Sequence, residues 1–201
     1  MQKISTQQLV ERMQSYREDM KRRMEAKQPI TVDLGSEDGT VEFHIDNVID
    51  FGEFKCDECY HRFDLMFSCK SVVSISLNTQ YRRIELVVNT HLVYGSKKGG
   101  VQIPLIVSYS DQQEGKRITL RPREFDDPKM SEADVLLAET LFNEVTTKLG
   151  LIPETPFDFT AIRTYVRKYE ETHSLVMSIW GDLALEWNGV SKAWDNNLSE
   201  L

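Results

Sequence analysis

FDLMFSCKSVVSISLNTQYRRIELVVNT, residues 63–90, is the stretch that decides the fold class. Apolar or small residues occupy every second position from Phe63 to Leu77 and again from Ile84 onward, and the polar residues 78–80 separate the two runs. A period of two places alternate side chains on opposite faces of a sheet. The stretch therefore predicts two long antiparallel strands. The first is too long to stay regular, and a bend or a change of partner is expected near Ser71.

Shorter alternating runs extend this sheet on both sides. Ile30 to Leu34, the glycine-flanked turn 35–39 and the run from Val41 to Val48 predict a hairpin. Residues 101–109 and 118–120 predict two further strands. Because short loops join all of these strands, we expect an antiparallel β-meander or a partly open barrel over residues 29–125.

Helical periodicity replaces the alternation at both ends of the chain. Residues 1–28 predict an amphipathic helix with a methionine-rich apolar stripe, capped by Ser5 or Thr6. That stripe either packs on its own domain or forms an adaptable surface for a partner. Near the C-terminus, Ser131 and Gly150 are the expected cap and stop of another helix. The predicted fold class is α+β, with an N-terminal helix (1–28), an antiparallel β domain (29–125) and a C-terminal helical region (129–201).

All three tryptophans lie in an apolar pattern that runs from Phe159 to Trp194 at alternating steps of three and four residues. On a helix this spacing forms one stripe. Such a seam is not stable alone in water, so we expect it to pack on the rest of the chain or on a second copy. Gly181 and Gly189 allow the seam to be two or three helices. The predicted contact residues are Val176, Trp180, Leu183, Trp187 and Trp194.

The composition is that of an acidic globular protein, with a net charge of -8 and 40% hydrophobic residues. An acidic body lacks the field that neutralises phosphates, which makes nucleic-acid binding unexpected. There is neither a signal peptide nor an apolar run of the roughly 18 residues that cross a bilayer. The three cysteines, an odd number, fit a reducing compartment. We therefore expect a cytoplasmic protein without membrane contact.

Cys56 and Cys59, followed by His61, are the strongest chemical signal. Two thiolates separated by two residues can bind one zinc ion, and this short stretch resembles the first knuckle of zinc-ribbon proteins. The resemblance implies a structural zinc site on Cys56 and Cys59, whose remaining donors would come from His61, Cys69, His44 or His91. The chain has no second cysteine pair, and the alternative is two unpaired cysteines in a hairpin loop. Cys69 falls in the apolar positions of its strand and is predicted to be a small core residue.

A catalytic constellation is not evident, because the four histidines are scattered along the chain. Three pairs of a histidine and an acid could meet on the sheet: His44 with Asp46, His61 with Asp64, and His91 with Glu85. The sequence favours a non-enzymatic interaction protein, such as an adaptor, inhibitor or assembly factor, that binds a protein partner or itself through the tryptophan seam. The alternatives are an enzyme or small-ligand-binding protein with a pocket in the β domain, and an acidic mimic of nucleic acid.

Overall fold

The computed structural model of the 201-residue chain describes residues 4–35, 38–50, 59–90, 105–112, 115–120, 130–151, 159–171, 183–187 and 194–195. The helices are α1 (Thr6–Glu25), α2 (Glu132–Leu149) and α3 (Thr160–Glu171). The strands are β1 (Ile30–Gly35), β2 (Gly39–Phe43), β3 (Ile45–Asp50), β4 (Tyr60–Phe67), β5 (Ser71–Asn78), β6 (Arg83–Thr90), β7 (Leu105–Ser110), β8 (Gly115–Leu120), β9 (Leu183–Trp187) and β10 (Trp194–Asp195). The predicted α+β class is confirmed.

The strands form two antiparallel sheets. β1 and β2 make the predicted hairpin, which is a sheet of its own. β3 to β10 form one large sheet in which each strand pairs with the next along the chain. The two outermost strands of this sheet, β3 and β10, do not pair with each other, so the meander stays open. The chain leaves the sheet after β8, forms α2 and α3, and returns beside β8 as β9.

The predicted strand from Phe63 to Leu77 is in fact two strands joined by a tight turn at residues 68–70. Lys70 lies at the turn with φ of +67°, and its N–H donates to the Phe67 carbonyl at 2.8 Å. The alternation continues across the turn because β4 ends and β5 begins at positions of the same parity. Cys69 is exposed in the turn, so its prediction as a core residue is wrong. The change of partner does fall at Ser71.

Helices α1 and α2 cover one face of the large sheet, where the core lies. Tyr16 of α1 packs its ring on Phe63 of β4, with the ring centroids 6.1 Å apart. Met13 and Met20 beside it are buried in the same cluster. The methionine stripe of α1 is therefore packed on its own chain. Residues of α1, both sheets, α2 and α3 share this single core, which joins the predicted N-terminal, β and C-terminal regions.

Both helix ends predicted around Ser131 and Gly150 are confirmed. Ser131 caps α2 in a reciprocal capping box with Asp134, and Gly150 closes the helix with φ of +72°. Only a residue without a Cβ takes that left-handed conformation at little cost. The N-cap of α1 is Ser5. These caps fix where the two helices begin and end over the sheet.

The described residues of the C-terminal seam form a helix at Thr160–Glu171 and strands at Leu183–Trp187 and Trp194–Asp195. α3 buries Ile162 and Val166 beside Phe159, as predicted. Leu183–Trp187 is a strand paired with β8, and Trp194 begins the last strand, so the helix predicted over these residues is wrong. Large apolar residues occupy every second position of β9, as a strand also allows, and the edge of β8 supplies backbone partners that a local pattern does not reveal. Val176 and Trp180 lie outside the described residues.

Candidate functional site

A row of polar residues crosses the large sheet on the positions that alternate with its apolar core. The row contains one residue from each strand from β4 to β10, each directly opposite the next in the ladder. In order, its members are Arg62, Ser76, Glu85, Ser108, Arg117, Glu186 and Asp195. Residues opposite one another in an antiparallel pair are close enough to interact. The register thus brings together charged residues that are far apart in the sequence.

Among the charged residues of this polar face whose exposure is described, Asp64 is the most enclosed, with only 4% of its surface exposed. Arg62 holds it at two points, with Nε 3.0 Å from Oδ1 and Nη2 3.2 Å from Oδ2, and also donates to the Ser74 hydroxyl at 3.0 Å. Burial alone lowers the pKa of Arg62, but the hydrogen bond and negative charge of Asp64 outweigh burial and raise it. Arg62 is therefore a permanent cation that orders the face, rather than an acid–base group.

A second ion pair lies on the same face of the sheet. Arg83 Nη2 lies 2.6 Å from Glu85 Oε2, and both side chains are partly exposed. The small hydroxyl of Ser76, between Arg62 and Glu85 in the row, donates to the Glu85 carbonyl at 3.4 Å. The four charged side chains described on this face thus form two ion pairs, Arg62 with Asp64 and Arg83 with Glu85. Sequence analysis missed the Arg62–Asp64 pair, although two opposite charges two residues apart on a strand are its signal.

The predicted histidine–acid pairs at His44 and His61 are not formed. His61 is opposite the buried Leu77 on the core side of β4, whereas Asp64 lies on the other face and binds Arg62. They are three positions apart along the strand, and an odd spacing puts two side chains on opposite faces. His44 Nε2 lies 3.5 Å from Glu42, instead of pairing with Asp46. His91 lies outside the described residues.

Two of the three predicted metal ligands lie at the start of β4. In the described part of the chain, His61 Nε2 is the one enclosed side-chain nitrogen or oxygen without a hydrogen-bond partner. Cys59, two residues earlier, has a half-buried free thiol. Its carbonyl accepts from the Thr79 N–H at 2.8 Å and from the Thr79 hydroxyl at 3.2 Å. Cys56 lies outside the described residues, within which no group of three His, Cys, Asp or Glu side chains could hold a metal.

Tyr16 forms a polar contact at the interface of α1 and α2. Its hydroxyl donates to Glu144 Oε2 at 3.3 Å, and Arg23 Nη1 lies 3.2 Å from both oxygens of the same carboxylate. Burial, followed by the negative charge of Glu144, raises the pKa of Tyr16 well above its usual value of 10.0. The folded protein therefore binds the phenolic proton more tightly than the unfolded chain does.

This difference predicts a loss of stability in alkali. The pKa of Tyr16 is higher in the folded protein than in the unfolded chain. The contribution of Tyr16 to the free energy of unfolding is therefore complete below about pH 10 and is lost as the pH rises above that value. Tyr16→Phe should cost about 1 kcal/mol near pH 8, for the lost hydrogen bond. The difference from wild type should shrink above about pH 10, since phenylalanine cannot ionise. Urea unfolding at several pH values measures it, with Tyr81→Phe at an exposed turn as the control. If the free energy of unfolding of wild type and of Tyr16→Phe changed with pH in parallel, the raised pKa of Tyr16 would be refuted.

The predicted interaction residues that the structure describes lie at the end of the large sheet. Trp194 of β10 is directly opposite Trp187 of β9, and Leu183 is opposite Leu120 of β8. β10 is the last strand in the described order of the sheet. The register thus brings two of the predicted anchors into one cross-strand pair, in a strand context rather than a helical one.

No protein-family model, curated protein or solved structure matches this chain. Within the described ranges, none of the helices has the length and hydropathy to span a bilayer.

Proposed function

We propose that this is a non-enzymatic protein-interaction protein, acting as an adaptor, inhibitor or assembly factor, whose contact surface is the β9–β10 end of the large sheet. The observation that carries the proposal is that β10 is the outermost strand at this end of the sheet among the described residues, and that Trp194 is there opposite Trp187. An edge strand offers backbone groups to which another chain can add a strand. Tryptophan is also enriched among the residues that dominate binding energy.

The apolar surfaces elsewhere in the described residues support this location. The methionine stripe of α1 and the apolar side of α2 are buried in the shared core. Among the side chains whose exposure is described, the exposed large hydrophobic one is Tyr81, at 48%. A partner that binds through apolar contacts finds no other large anchor on this described surface. The predicted anchors Trp187 and Trp194 are therefore the natural centre of the contact.

The charges near the open edge favour an extended basic segment as the partner. In the polar row, Glu186 has Arg117 on one side and Asp195 on the other. Like charges directly opposite each other are unfavourable, and the register puts two acidic residues, Glu186 and Asp195, opposite each other at this end of the sheet. A lysine or arginine on an added strand would continue the row with the opposite sign. A second copy of the chain would instead bring more acid to an edge of a protein whose net charge is -8.

The test is binding of a labelled peptide of about nine residues that alternates lysine and valine, with a glutamate–valine peptide as its acidic counterpart. We expect the basic peptide alone to bind, with an affinity that falls as salt is added. Replacing Trp187 and Trp194 together with alanine should weaken binding at least about tenfold, as should Asp195→Lys. Asp46→Lys, an exposed position on the opposite edge strand β3, is the matched control.

Three outcomes would overturn the proposal. The first is equal binding of the basic and the acidic peptide. The second is unchanged binding by the β9–β10 variants, provided that circular dichroism shows these variants to be folded. The third is a stable dimer of the wild-type chain that the same variants dissociate. The last result, from light scattering, would place a second copy on the edge instead.

We also propose a cytoplasmic location, because Cys59 and the exposed Cys69 are both free thiols, as expected in a reducing compartment.

A further inference from the structure

We propose that the β9–β10 edge selects its partner strand by the order of two adjacent residues, a basic residue followed directly by an aromatic one. This selectivity rests on the proposed function, because it concerns the strand that is added beside β10. The observation that carries it is the register of β10 on β9, in which Trp194 is opposite Trp187 and Asp195 is opposite Glu186. The two residues of β10 therefore favour different side chains at adjacent positions of the partner.

Trp194 and Asp195 belong to opposite faces of the large sheet. The row of directly opposite residues that ends at Trp194 starts from the fully buried Leu77 and Ile84 on the helix-covered face. Asp195 ends the polar row on the other face. Successive residues of an added strand alternate between the same two faces. One partner residue is therefore opposite Trp194, and its neighbour in sequence is opposite Asp195.

Each of these two positions favours a distinct kind of side chain. An aromatic residue opposite Trp194 continues the row of Trp187 and Trp194, and aromatic cross-strand pairs stabilise a sheet. At the other position the register already puts Glu186 opposite Asp195, and like charges opposite each other are unfavourable. A lysine or arginine opposite Asp195 supplies the opposite charge, as Arg117 does opposite Glu186.

The direction of the added strand fixes the order of the two partner residues. All strand pairs in the described part of the chain are antiparallel, and antiparallel pairing is slightly more stable per residue than parallel pairing. An antiparallel partner runs from Asp195 towards Trp194, so its basic residue comes first and its aromatic residue second. Strand β9 is antiparallel to β10 and shows the same order of charged and aromatic residues, with Glu186 directly before Trp187.

The test compares two labelled peptides of about nine residues, which are threonine throughout except for one central Lys–Trp or Trp–Lys pair. The Lys–Trp peptide should bind the full chain about fivefold more tightly, because in an antiparallel strand only this order puts both residues opposite Asp195 and Trp194. In Asp195→Lys this preference should disappear, and a Glu–Trp peptide should bind more tightly than a Trp–Glu peptide. Asp46→Lys, on the opposite edge strand β3, is the matched control and should keep the Lys–Trp preference.

The peptide that alternates lysine and valine separates two kinds of failure. If it binds while the two pair peptides bind equally or not at all, the order selectivity is refuted and the proposed function stands. Tighter binding of the Trp–Lys peptide indicates a parallel strand and also refutes the selectivity. If neither the lysine–valine peptide nor a pair peptide binds, both proposals are refuted.

The variants give an independent readout of the role of Asp195. Retention of the Lys–Trp preference by Asp195→Lys, with the variant folded by circular dichroism, would overturn the selectivity. Asp195→Asn removes the charge with little change of shape and gives the same readout if the lysine variant does not fold.

Discussion

Arg82→Ala is expected to lower the free energy of unfolding by about 3 kcal/mol. The Arg82 side chain is 8% exposed. Its Nε lies 2.9 and 2.7 Å from the two oxygens of Asp111, and its Nη1 donates to the Ile4 carbonyl at 2.7 Å. One side chain thus connects the β5–β6 turn, the β7–β8 turn and the residues before α1. Its removal takes away the enclosed guanidinium and its charge-assisted hydrogen bonds to the partly exposed Asp111 carboxylate and to the Ile4 carbonyl, and the loss of these bonds accounts for most of the cost.

Arg83→Ala is the matched control for this prediction. Arg83 is adjacent in the chain and also pairs with a carboxylate, but its side chain is 40% exposed. Exposed ion pairs contribute at most about 1 kcal/mol, because water screens them. Urea denaturation of both variants measures the difference. Equal losses would mean that the enclosed position of Arg82 has no special energetic role.

Asp134→Ala is expected to cost a similar amount, about 3 kcal/mol. Asp134 is buried at the N-terminus of α2, where it accepts from the Ser131 N–H at 2.9 Å, the Ser131 hydroxyl at 2.6 Å and the Ser71 hydroxyl at 3.0 Å. The carboxylate therefore closes the capping box and attaches α2 to the beginning of β5. Its negative charge also lies at the positive end of the helix dipole. Alanine removes these interactions and leaves the buried Ser71 hydroxyl without an acceptor.

A double-mutant cycle with Ser71→Ala separates these contributions. If the loss of an acceptor for Ser71 is part of the cost, the double variant should be less destabilised than the sum of the single variants. Asp134→Asn preserves the shape of the side chain while removing the charge. Its free energy of unfolding should lie between those of wild type and Asp134→Ala. Strict additivity in the cycle would show that Ser71 and Asp134 do not cooperate, contrary to their hydrogen bond.

Local pattern predicts most of the central sheet and both capped helices. The turn between β5 and β6 and the cap and stop of α2 depend on residues within a few positions of one another. The hairpin turn at Cys69 escaped prediction because it keeps the parity of the flanking strands. The candidate zinc ligands Cys56, Cys59 and His61 were predicted from their short spacing, whereas the enclosure of His61 Nε2 without a hydrogen-bond partner depends on how β4 packs. The Arg62–Asp64 pair had a local signal that hydrophobic alternation obscured.

The sequence by itself determined the α+β class, the methionine side of α1 and the capped ends of α2, because hydrophobic period and capping chemistry act over a single turn or strand. The tertiary structure alone decided that Leu183–Trp187 joins the sheet as β9. It also decided that Arg82 reaches Asp111 and Ile4, and that Trp187 is opposite Trp194. The physical reason is that a free strand edge and a buried ion pair gain their energy from partners distant in the chain, and periodicity carries no record of those partners.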